Sequence, residues 1–245
     1  MSLLHIHITT TCISITLKRD AKRNALNTLL LQELVDALQS LNEYSPRLLV
    51  LEGDGKVFCA GVDIYEVISL SAKSDLKGLI LLNGLVGELF YLLYHSVHWV
   101  ISVVRGGVYG GGLGILAASD EVMAQASVCF GFSEHRYAMV PGQVYPYLED
   151  KIGKYAKVAI LQKAVLSAND AKLNALVTHC SLDVESVFNA RYAQLSSSGL
   201  SMLVASKSVF NQTSIVARRY IESASEIFAK QAIHAYSDGA FSSLL

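Results

Sequence analysis

The fold of this chain is decided by one stretch of sequence, Val100-Ile101-Ser102-Val103-Val104-Arg105-Gly106-Gly107-Val108-Tyr109-Gly110-Gly111-Gly112-Leu113-Gly114-Ile115-Leu116-Ala117-Ala118. An apolar, β-branched run followed by glycines and then by helix formers predicts a buried strand, a tight turn and the start of a helix. The glycines let the backbone approach a ligand closely, and the first amides of the following helix lack partners within it. Such amides bind negative charge, either of a phosphate or of an oxyanion.

The glycine triplet alone leaves a second interpretation open, because a glycine-rich turn also allows a helix and a strand to pack closely without any ligand. Two nucleotide-binding motifs are excluded. No Gly-Lys-Ser/Thr follows the triplet, as a Walker loop requires, and the spacing of a dinucleotide fingerprint is missing. The triplet also stands deep in the chain rather than after a first strand.

A second glycine-bearing strand end stands about fifty residues earlier, in Val57-Phe58-Cys59-Ala60-Gly61-Val62-Asp63-Ile64. It follows a predicted strand at residues 48–51 and a predicted turn at residues 52–55. Each of the two strand ends could offer one backbone N–H to the same carbonyl oxygen. The pair therefore favours ligand binding over simple packing.

Three motifs share one order and spacing with a known family. They are Phe58-Cys59-Ala60-Gly61-Val62-Asp63-Ile64, then Gly110-Gly111-Gly112-Leu113-Gly114-Ile115-Leu116-Ala117-Ala118-Ser119-Asp120, then Phe130-Gly131-Phe132-Ser133-Glu134 closing on Val140-Pro141-Gly142. With them the chain resembles the crotonase (enoyl-CoA hydratase/isomerase) superfamily over nearly its whole length. The resemblance implies an α/β fold, a crotonase-like spiral of β-β-α units over residues 1–182. A C-terminal helical trimerisation region is expected over residues 183–245.

The resemblance also implies the catalytic groups. The oxyanion hole would be the backbone N–H groups of Val62 and Gly111, which stabilise the enolate formed when the α-carbon of a thioester loses a proton. Hydratases of the superfamily hold a water between two glutamates. The first of those positions is Gly114 here and the second is Glu134, so one carboxylate is present. Glutamates are most often surface residues, but this position in the motif favours a catalytic role.

One carboxylate suits two reactions, the dehydration of a 3-hydroxyacyl thioester and a 3,2-enoyl-CoA isomerisation. Residues 143–153 resemble the dehydratases of polyketide β-branching cassettes, which act on 3-hydroxy-3-methylglutaryl groups on an acyl carrier protein. Gly114 would then leave room for a branched C3. The expected function is therefore an acyl-thioester lyase acting on a carrier-protein or CoA thioester. The alternatives are an enoyl-CoA isomerase, a general enoyl-CoA hydratase and a crotonase-fold protein that binds without catalysis.

Two further groups of residues follow from the resemblance. The substrate pocket is expected to be lined by Gly114, Ile64, Tyr65, Tyr109 and Pro141. CoA, phosphopantetheine or a carrier protein is expected to contact Lys22, Arg23, Ala25 and Ala60. The basic cluster at residues 18–24 suits phosphates, and a solvated turn before a helix explains it equally well. Thr28 is predicted to cap that helix.

Composition bounds the remaining function classes. The chain has 245 residues, of which 52% are apolar and 17% charged, and its net charge is −1. Such an apolar chain is expected to bury surface between subunits, as a homotrimer or homohexamer. The net charge argues against a nucleic-acid surface. The apolar segment at residues 79–94 is interrupted by Asn83, Gly84, Gly87 and Glu88, which favours a buried or interfacial helix over a membrane span.

Neither a metal nor a resident cofactor is expected, apart from the CoA or phosphopantetheine that the substrate carries. His5 and His7 share a strand face without a third ligand in register, and His95 and His98 fit a helix end and a turn. The four cysteines are far apart and form no Cys-x-x-Cys, which is typical of reduced core residues in a cytoplasmic protein. The N-terminus reads as a short strand and not as a signal peptide.

Overall fold

The computed structural model describes residues 2–132, 137, 139–162, 165–213 and 219–244. The strands among these residues are β1 Leu4–Ile8, β2 Cys12–Leu17, β3 Leu48–Gly53, β4 Val57–Cys59, β5 Trp99–Val104, β6 Gly107–Tyr109, β7 Glu121–Gln125, β8 Cys129–Gly131, β9 Leu166–Ser167 and β10 His179–Ser181. The helices are α1 Thr28–Leu41, α2 Ile64–Ala72, α3 Leu76–Tyr94, α4 Gly111–Ala118, α5 Tyr145–Gln162, α6 Ala168–Leu173, α7 Val184–Gln194, α8 Leu200–Thr213 and α9 Arg219–Ser237. A 3₁₀ turn spans Asp20–Lys22, and a π-helical turn joins α7 to α8 at Leu195–Gly199.

The strands form two sheets. The larger sheet has the order β1-β2-β3-β5-β7-β10 and is parallel except for the β1/β2 pair. The smaller has the order β4-β6-β8-β9 and is parallel except for the β8/β9 pair. The chain therefore alternates between the sheets, since β3, β5 and β7 lie in the first while β4, β6 and β8 follow in the second. The next helices along the chain are α2, α4 and α5, which confirms the predicted spiral of β-β-α units.

The central strands are buried on both faces because they are parallel and covered by helices. Leu49 and Leu51 of β3 and Val100 and Val104 of β5 belong to the core cluster that α1, α3 and α4 cover. The other face of the same sheet packs against α7 and α8. After β10 the described residues continue only as helices, and α9 returns to pack against α3.

Helix α3 is the predicted long apolar helix. By length and composition it could cross a membrane, and 50% of its apolar window is buried within the described protein. It packs between α1, α4 and α9. This half-buried packing agrees with the predicted buried or interfacial helix.

The structure corrects the predicted N-cap of helix α1. Its N-cap is Asn27 and not Thr28, because the Asn27 side chain accepts from Leu30 N at 3.0 Å. Thr28 instead donates its N–H and hydroxyl to the Glu66 carboxylate at 2.9 and 2.7 Å. The contact ties the start of α1 to α2.

The cysteines and histidines also differ in part from expectation. All four cysteines are free thiols, but only Cys59 is buried, and Cys129 is exposed rather than in the core. His98 is fully buried, where its Nδ1 accepts from Arg47 N and its Nε2 pairs with Leu41 O. Burial lowers the pKa of His98. It is therefore a core histidine with both ring nitrogens partnered.

Candidate active site

The two glycine-bearing strand ends meet at one edge of the smaller sheet. Strands β4 and β6 pair in parallel, so the residues that follow them lie side by side. Gly61 has a φ of +82°, a conformation that L side chains rarely adopt. A Cβ on Gly61 would lie 2.8 Å from Tyr109 O and 2.9 Å from Gly111 N. Glycine at this position is what lets the two backbones approach.

The backbone amides of Val62 and Gly111 are left open at this junction. Hydrogen bonds hold the chain on both sides of Val62, from Leu26 N to Gly61 O at 2.8 Å and from Asp63 N to Leu26 O at 2.9 Å. Gly111 is the first residue of α4, so its N–H has no partner within the helix. Among the described residues neither amide donates a hydrogen bond to the protein. Both are fixed in place and available to a ligand.

A cavity of about 520 Å³ opens at these amides. Ten of the residues that the sequence singled out line it, namely Lys22, Arg23, Ala25, Ala60, Val62, Ile64, Tyr65, Tyr109, Gly111 and Pro141. They come from the loop before α1, from both strand ends, from α2 and from the segment before α5. The structure thus brings the predicted oxyanion and CoA-binding positions, and four of the five predicted pocket positions, into one cavity.

Glu134, the predicted catalytic carboxylate, lies outside the described residues. In sequence it stands between Phe132 and Tyr137, which both line the cavity. The described groups on either side of it therefore belong to the same site as the two open amides.

Gly114 is placed differently from the sequence-based interpretation. It is fully buried in α4 and does not line the cavity. An ideal Cβ on Gly114 would lie 2.2 Å from the ring of Phe90, and that ring packs edge-on against Tyr147 with centroids 5.8 Å apart. The expectation that Gly114 leaves room for a branched acyl chain is therefore wrong. The aromatic ring of α3 occupies the space that the missing side chain leaves.

The basic loop before α1 is held firmly. The buried side chain of Asn24 donates to Asp54 O and Val57 O, both at 2.8 Å. Arg19 forms an ion pair of 2.8 Å with Asp63, the residue after Val62. Among the described residues Lys22 and Arg23 have no carboxylate partner. The loop therefore presents two uncompensated cations at the cavity.

Sequence reasoning missed a polar patch on the wall of the cavity. Asn83 of α3 and Gln143, just after Pro141-Gly142, both line it and are 6% and 3% exposed. Two signals could have found them. Asn83 interrupts an apolar helix, and Gln143 directly follows Pro141-Gly142 of the third motif.

The described residues contain no group of three or more His, Cys, Asp or Glu side chains arranged to hold a metal.

This fold and this site define a class of protein, the crotonase-type proteins, in which two strand-end amides face one cavity. The profile of the enoyl-CoA hydratase/isomerase family matches residues 7–238. The chain belongs to the enoyl-CoA hydratase/isomerase family.

Sequence relatives include the bacillaene synthase dehydratase PksH of Bacillus subtilis (strain 168). It is 32% identical over 140 residues, which make up 57% of this chain and 53% of PksH. The 2,3-dehydroadipyl-CoA hydratase of Escherichia coli (strain K12) is 33% identical over 129 residues, 52% of this chain and 48% of that enzyme. The chain spans about half the length of these two relatives.

Solved structures share the whole fold. The crystal structure of PksH from Bacillus subtilis has a TM-score of 0.86 at 20% identity and covers 99% of this chain and 97% of that one. The structure of AtuE from Pseudomonas aeruginosa has a TM-score of 0.81 at 25% identity, with 99% and 96% covered. At 20% identity the likeness to the PksH structure shows the fold alone.

Proposed function

We propose that this protein is an acyl-thioester lyase that removes water from a 3-hydroxyacyl thioester through an enolate. The observation that carries the proposal is the pair of open amides, Val62 N–H and Gly111 N–H, at one cavity. Donors that are already fixed toward a developing oxyanion stabilise it without reorganisation, and each is worth about 3–4 kcal/mol. The family membership supports a hydratase or dehydratase type of enzyme.

The proposed chemistry requires one carboxylate, Glu134. It takes a proton from C2 of the acyl chain, and the electron pair moves into the thioester carbonyl, whose oxygen the two amides hold. The enolate then collapses, the bond between C3 and the hydroxyl oxygen breaks, and the carboxylic acid returns its proton to the leaving hydroxide as water. A positioned carboxylate contributes about 10²–10⁴ in rate in such steps.

The proposed substrate is a 3-hydroxy-3-methylglutaryl thioester on an acyl carrier protein or on CoA. The similarity to PksH, a dehydratase by name, supports the reaction, and the glycine in place of the first glutamate supports a chemistry with one carboxylate. Space at Gly114 no longer supports the branched substrate, since Phe90 fills it. Lys22 and Arg23 supply the positive charge that a phosphopantetheine phosphate or the phosphates of CoA require.

Assembly and location belong to the same proposal. The protein is proposed to form a homotrimer or homohexamer and to be located in the cytoplasm. Apolar side chains exposed on α8 support the assembly, since Met202, Val209 and Phe210 are 67%, 63% and 70% exposed. Surfaces of this kind in a single chain are typical of subunit interfaces. Light scattering at micromolar concentration tests the assembly, and a monomer would contradict it.

The decisive assay offers the protein 3-hydroxy-3-methylglutaryl thioesters on CoA and on a carrier protein, beside crotonyl-CoA and a 3-enoyl-CoA. Formation of the unsaturated thioester from the branched substrate is expected. Rapid hydration of crotonyl-CoA with no action on the branched substrate would assign a general hydratase instead. Movement of a double bond from C3 to C2 with no dehydration would assign an isomerase, and binding without turnover of any substrate would assign a non-enzyme.

A further inference from the structure

One wall of the cavity carries a buried polar network that the proposed chemistry does not use. It consists of Asn83 on α3, Gln143 before α5 and Ser225 on α9, which are 6%, 3% and 1% exposed. Gln143 Nε2 lies 2.9 Å from Asn83 Oδ1 and 3.0 Å from Ser225 Oγ. Buried amides are retained where they are hydrogen-bonded or where they serve a ligand.

The orientation of both amides follows from their neighbours. Gln143 Nε2 also faces two backbone carbonyls, Ile221 O at 3.0 Å and Asn83 O at 3.4 Å. A carbonyl oxygen only accepts, so the atom of Gln143 that faces them is its nitrogen. The Ser225 hydroxyl donates to Ile221 O at 2.7 Å, so its oxygen accepts from Gln143. The Asn83 atom that faces Gln143 Nε2 must likewise be the oxygen.

This assignment leaves the Asn83 NH₂ group pointing away from the network. Among the described residues Asn83 Nδ2 donates no hydrogen bond, although the side chain is almost fully buried. Asn83 lines the cavity, and its Nδ2 is not among the fully buried side-chain atoms that lack a hydrogen-bond partner, so this NH₂ group is accessible from the cavity. A donor on a cavity wall without a protein partner is free to bind a ligand or water.

The network is also built to keep that amide in place. Gly87 stands one turn after Asn83 on α3, and a Cβ there would lie 2.6 Å from Gln143 Oε1. Glycine at this position therefore makes the space for Gln143, and Gln143 in turn fixes the Asn83 rotamer. The described lining also includes apolar side chains, among them Val86 and Phe228. A few polar groups on a partly apolar wall fix the orientation of a ligand.

We infer that Asn83 is a specificity-determining residue, whose amide donates to a carboxylate at the far end of the acyl chain. The substrate class is then a half-thioester of a dicarboxylic acid, in contrast to the purely aliphatic chain of a fatty acyl thioester. This inference rests on the proposed function, because the acyl chain enters the cavity only if its thioester carbonyl binds Val62 N–H and Gly111 N–H. Lys22 and Arg23, the cations among the described lining residues, come from the loop before α1 and not from this network.

The test compares two thioesters of the same shape. In 3-hydroxy-3-methylglutaryl-CoA the chain ends in a carboxylate, and in 3-hydroxy-3,5-dimethylhexanoyl-CoA an isopropyl group replaces it. Wild type is expected to prefer the carboxylate by about 10- to 100-fold in kcat/KM, the range of one hydrogen bond to a charged group. Asn83→Leu should lose most of that preference while its turnover of the isopropyl compound stays within a few-fold of wild type.

Matched variants separate recognition from structure. Leu81→Gln changes a residue of the same helix that is 54% exposed, and the preference should stay at the wild-type value. Asn83→Asp should push the preference below that of Asn83→Leu, because it sets a carboxylate against a carboxylate. The monoamide of the branched substrate should fall between the two thioesters, and a monoamide preferred over the carboxylate would overturn the assignment.

Failure of the inference and failure of the proposed function give different results. A wild type that dehydrates both thioesters equally well, or an Asn83→Leu variant that loses both activities in proportion, overturns the role of Asn83 and leaves the lyase intact. If neither compound is dehydrated, the lyase proposal fails, and calorimetric binding of glutaryl-CoA and 5-methylhexanoyl-CoA decides the role of Asn83. Equal affinities in wild type would then reject it, and a preference for glutaryl-CoA that Asn83→Leu removes would sustain it.

Discussion

The two ends of helix α4 differ in whether their backbone groups have hydrogen-bond partners. A helix leaves its first N–H groups and its last C=O groups without partners inside itself. At the N-terminal end the Gly111 N–H stays open to the cavity beside Val62 N–H. At the C-terminal end the carbonyl of Ser119 accepts from Lys151 Nζ, and the Ser119 hydroxyl donates to Ile115 O at 2.8 Å.

A buried ion pair completes the closed end. Asp120 accepts from Val100 N and from Lys207 Nζ, each at 2.7 Å, and Lys207 also donates to His98 O at 3.0 Å. Burial raises the pKa of Asp120, which Lys207 opposes, and burial lowers the pKa of Lys207. Each charge is tolerated in the interior because the other compensates it.

One end of α4 faces the cavity and the other contributes to stability, although the helix has only eight residues. In the proposed reaction, a developing oxyanion would supply the missing partner of the open end. The closed end has permanent partners, so changes there should alter the free energy of unfolding and leave the chemistry of the folded protein alone. The following variants test that separation.

The largest effect is expected at the closed end. Lys207→Met leaves the buried Asp120 carboxylate unpaired and should lower the free energy of unfolding by about 3–5 kcal/mol in urea titrations. The double variant Lys207→Met/Asp120→Asn removes the isolated charge and should regain part of the loss. Turnover per folded molecule should stay near wild type, and a specific loss of turnover without loss of stability would break the comparison.

A similar change at the open end should act on chemistry instead. Gly61→Ala drives a Cβ against Tyr109 O and Gly111 N, so the two amides can no longer converge, and kcat should fall by about 10²–10³. Gly55→Ala is the matched control, because Gly55 also has a positive φ, +81°, but its Cβ would meet the Asp20 side chain instead. Equal losses of kcat in both variants would mean that backbone strain alone explains the effect.

The proposed base, Glu134, is the subject of the next test. Glu134→Gln keeps the size of the side chain but removes its proton-accepting charge, so turnover should fall at least ~100-fold while substrate still binds. Single-turnover kinetics and equilibrium binding measure the two quantities separately. Wild-type-like turnover would move the proton transfer to another group, and His135→Asn would then be the next variant.

A substitution in the middle of α4 should change the free energy of unfolding and leave the substrate preference unchanged. Gly114→Ala forces a Cβ into the ring of Phe90 and should lower the free energy of unfolding by about 1–3 kcal/mol through overpacking. The smaller side chain of Phe90→Leu in the same background should relieve part of that loss. A changed ratio of activities on branched and straight thioesters, with unchanged stability, would restore the pocket role that the structure has removed.

The sequence predicted the open end better than the surroundings of the cavity, for a physical reason. Gly61 and Gly111 stand in turns between a strand and a helix, and the neighbouring residues of such turns have a recognisable pattern. The contact between Phe90 and Gly114 joins two helices, and no local pattern signals it. The direction of Asn83 is likewise set by tertiary packing against Gln143. The sequence misplaced or missed the residues whose role depends on side-chain packing between helices, where no motif marks the contact.

The smallest effect on stability is expected from Lys151, whose amine donates to Ser119 O, and this effect depends on pH. Burial lowers the pKa of Lys151 from 10.5 to about 8, against the opposing influence of Asp120. Below pH 8 both the folded and the unfolded chain hold the proton, so the full cost of the buried charge is present. Between about pH 8 and 10.5 the unfolded chain binds more protons, and the stability of wild type should therefore rise relative to Lys151→Met. The rise is at most about 3 kcal/mol, and the lost bond to Ser119 O offsets part of what the variant gains at pH 7.

The quantity to measure is the difference between wild type and Lys151→Met in the free energy of unfolding, as a function of pH. Cys12 and Cys59, whose pKa values burial raises to about 11 and about 12, lower stability in the same pH range, but both proteins share them. Lys172→Met, on an exposed part of α6, should run parallel to wild type across the range. A Lys151→Met curve that also runs parallel would show that Lys151 Nζ carries no cost of burial. The closed end of α4 would then owe its stability to the Asp120–Lys207 pair and to the hydrogen bonds of Ser119.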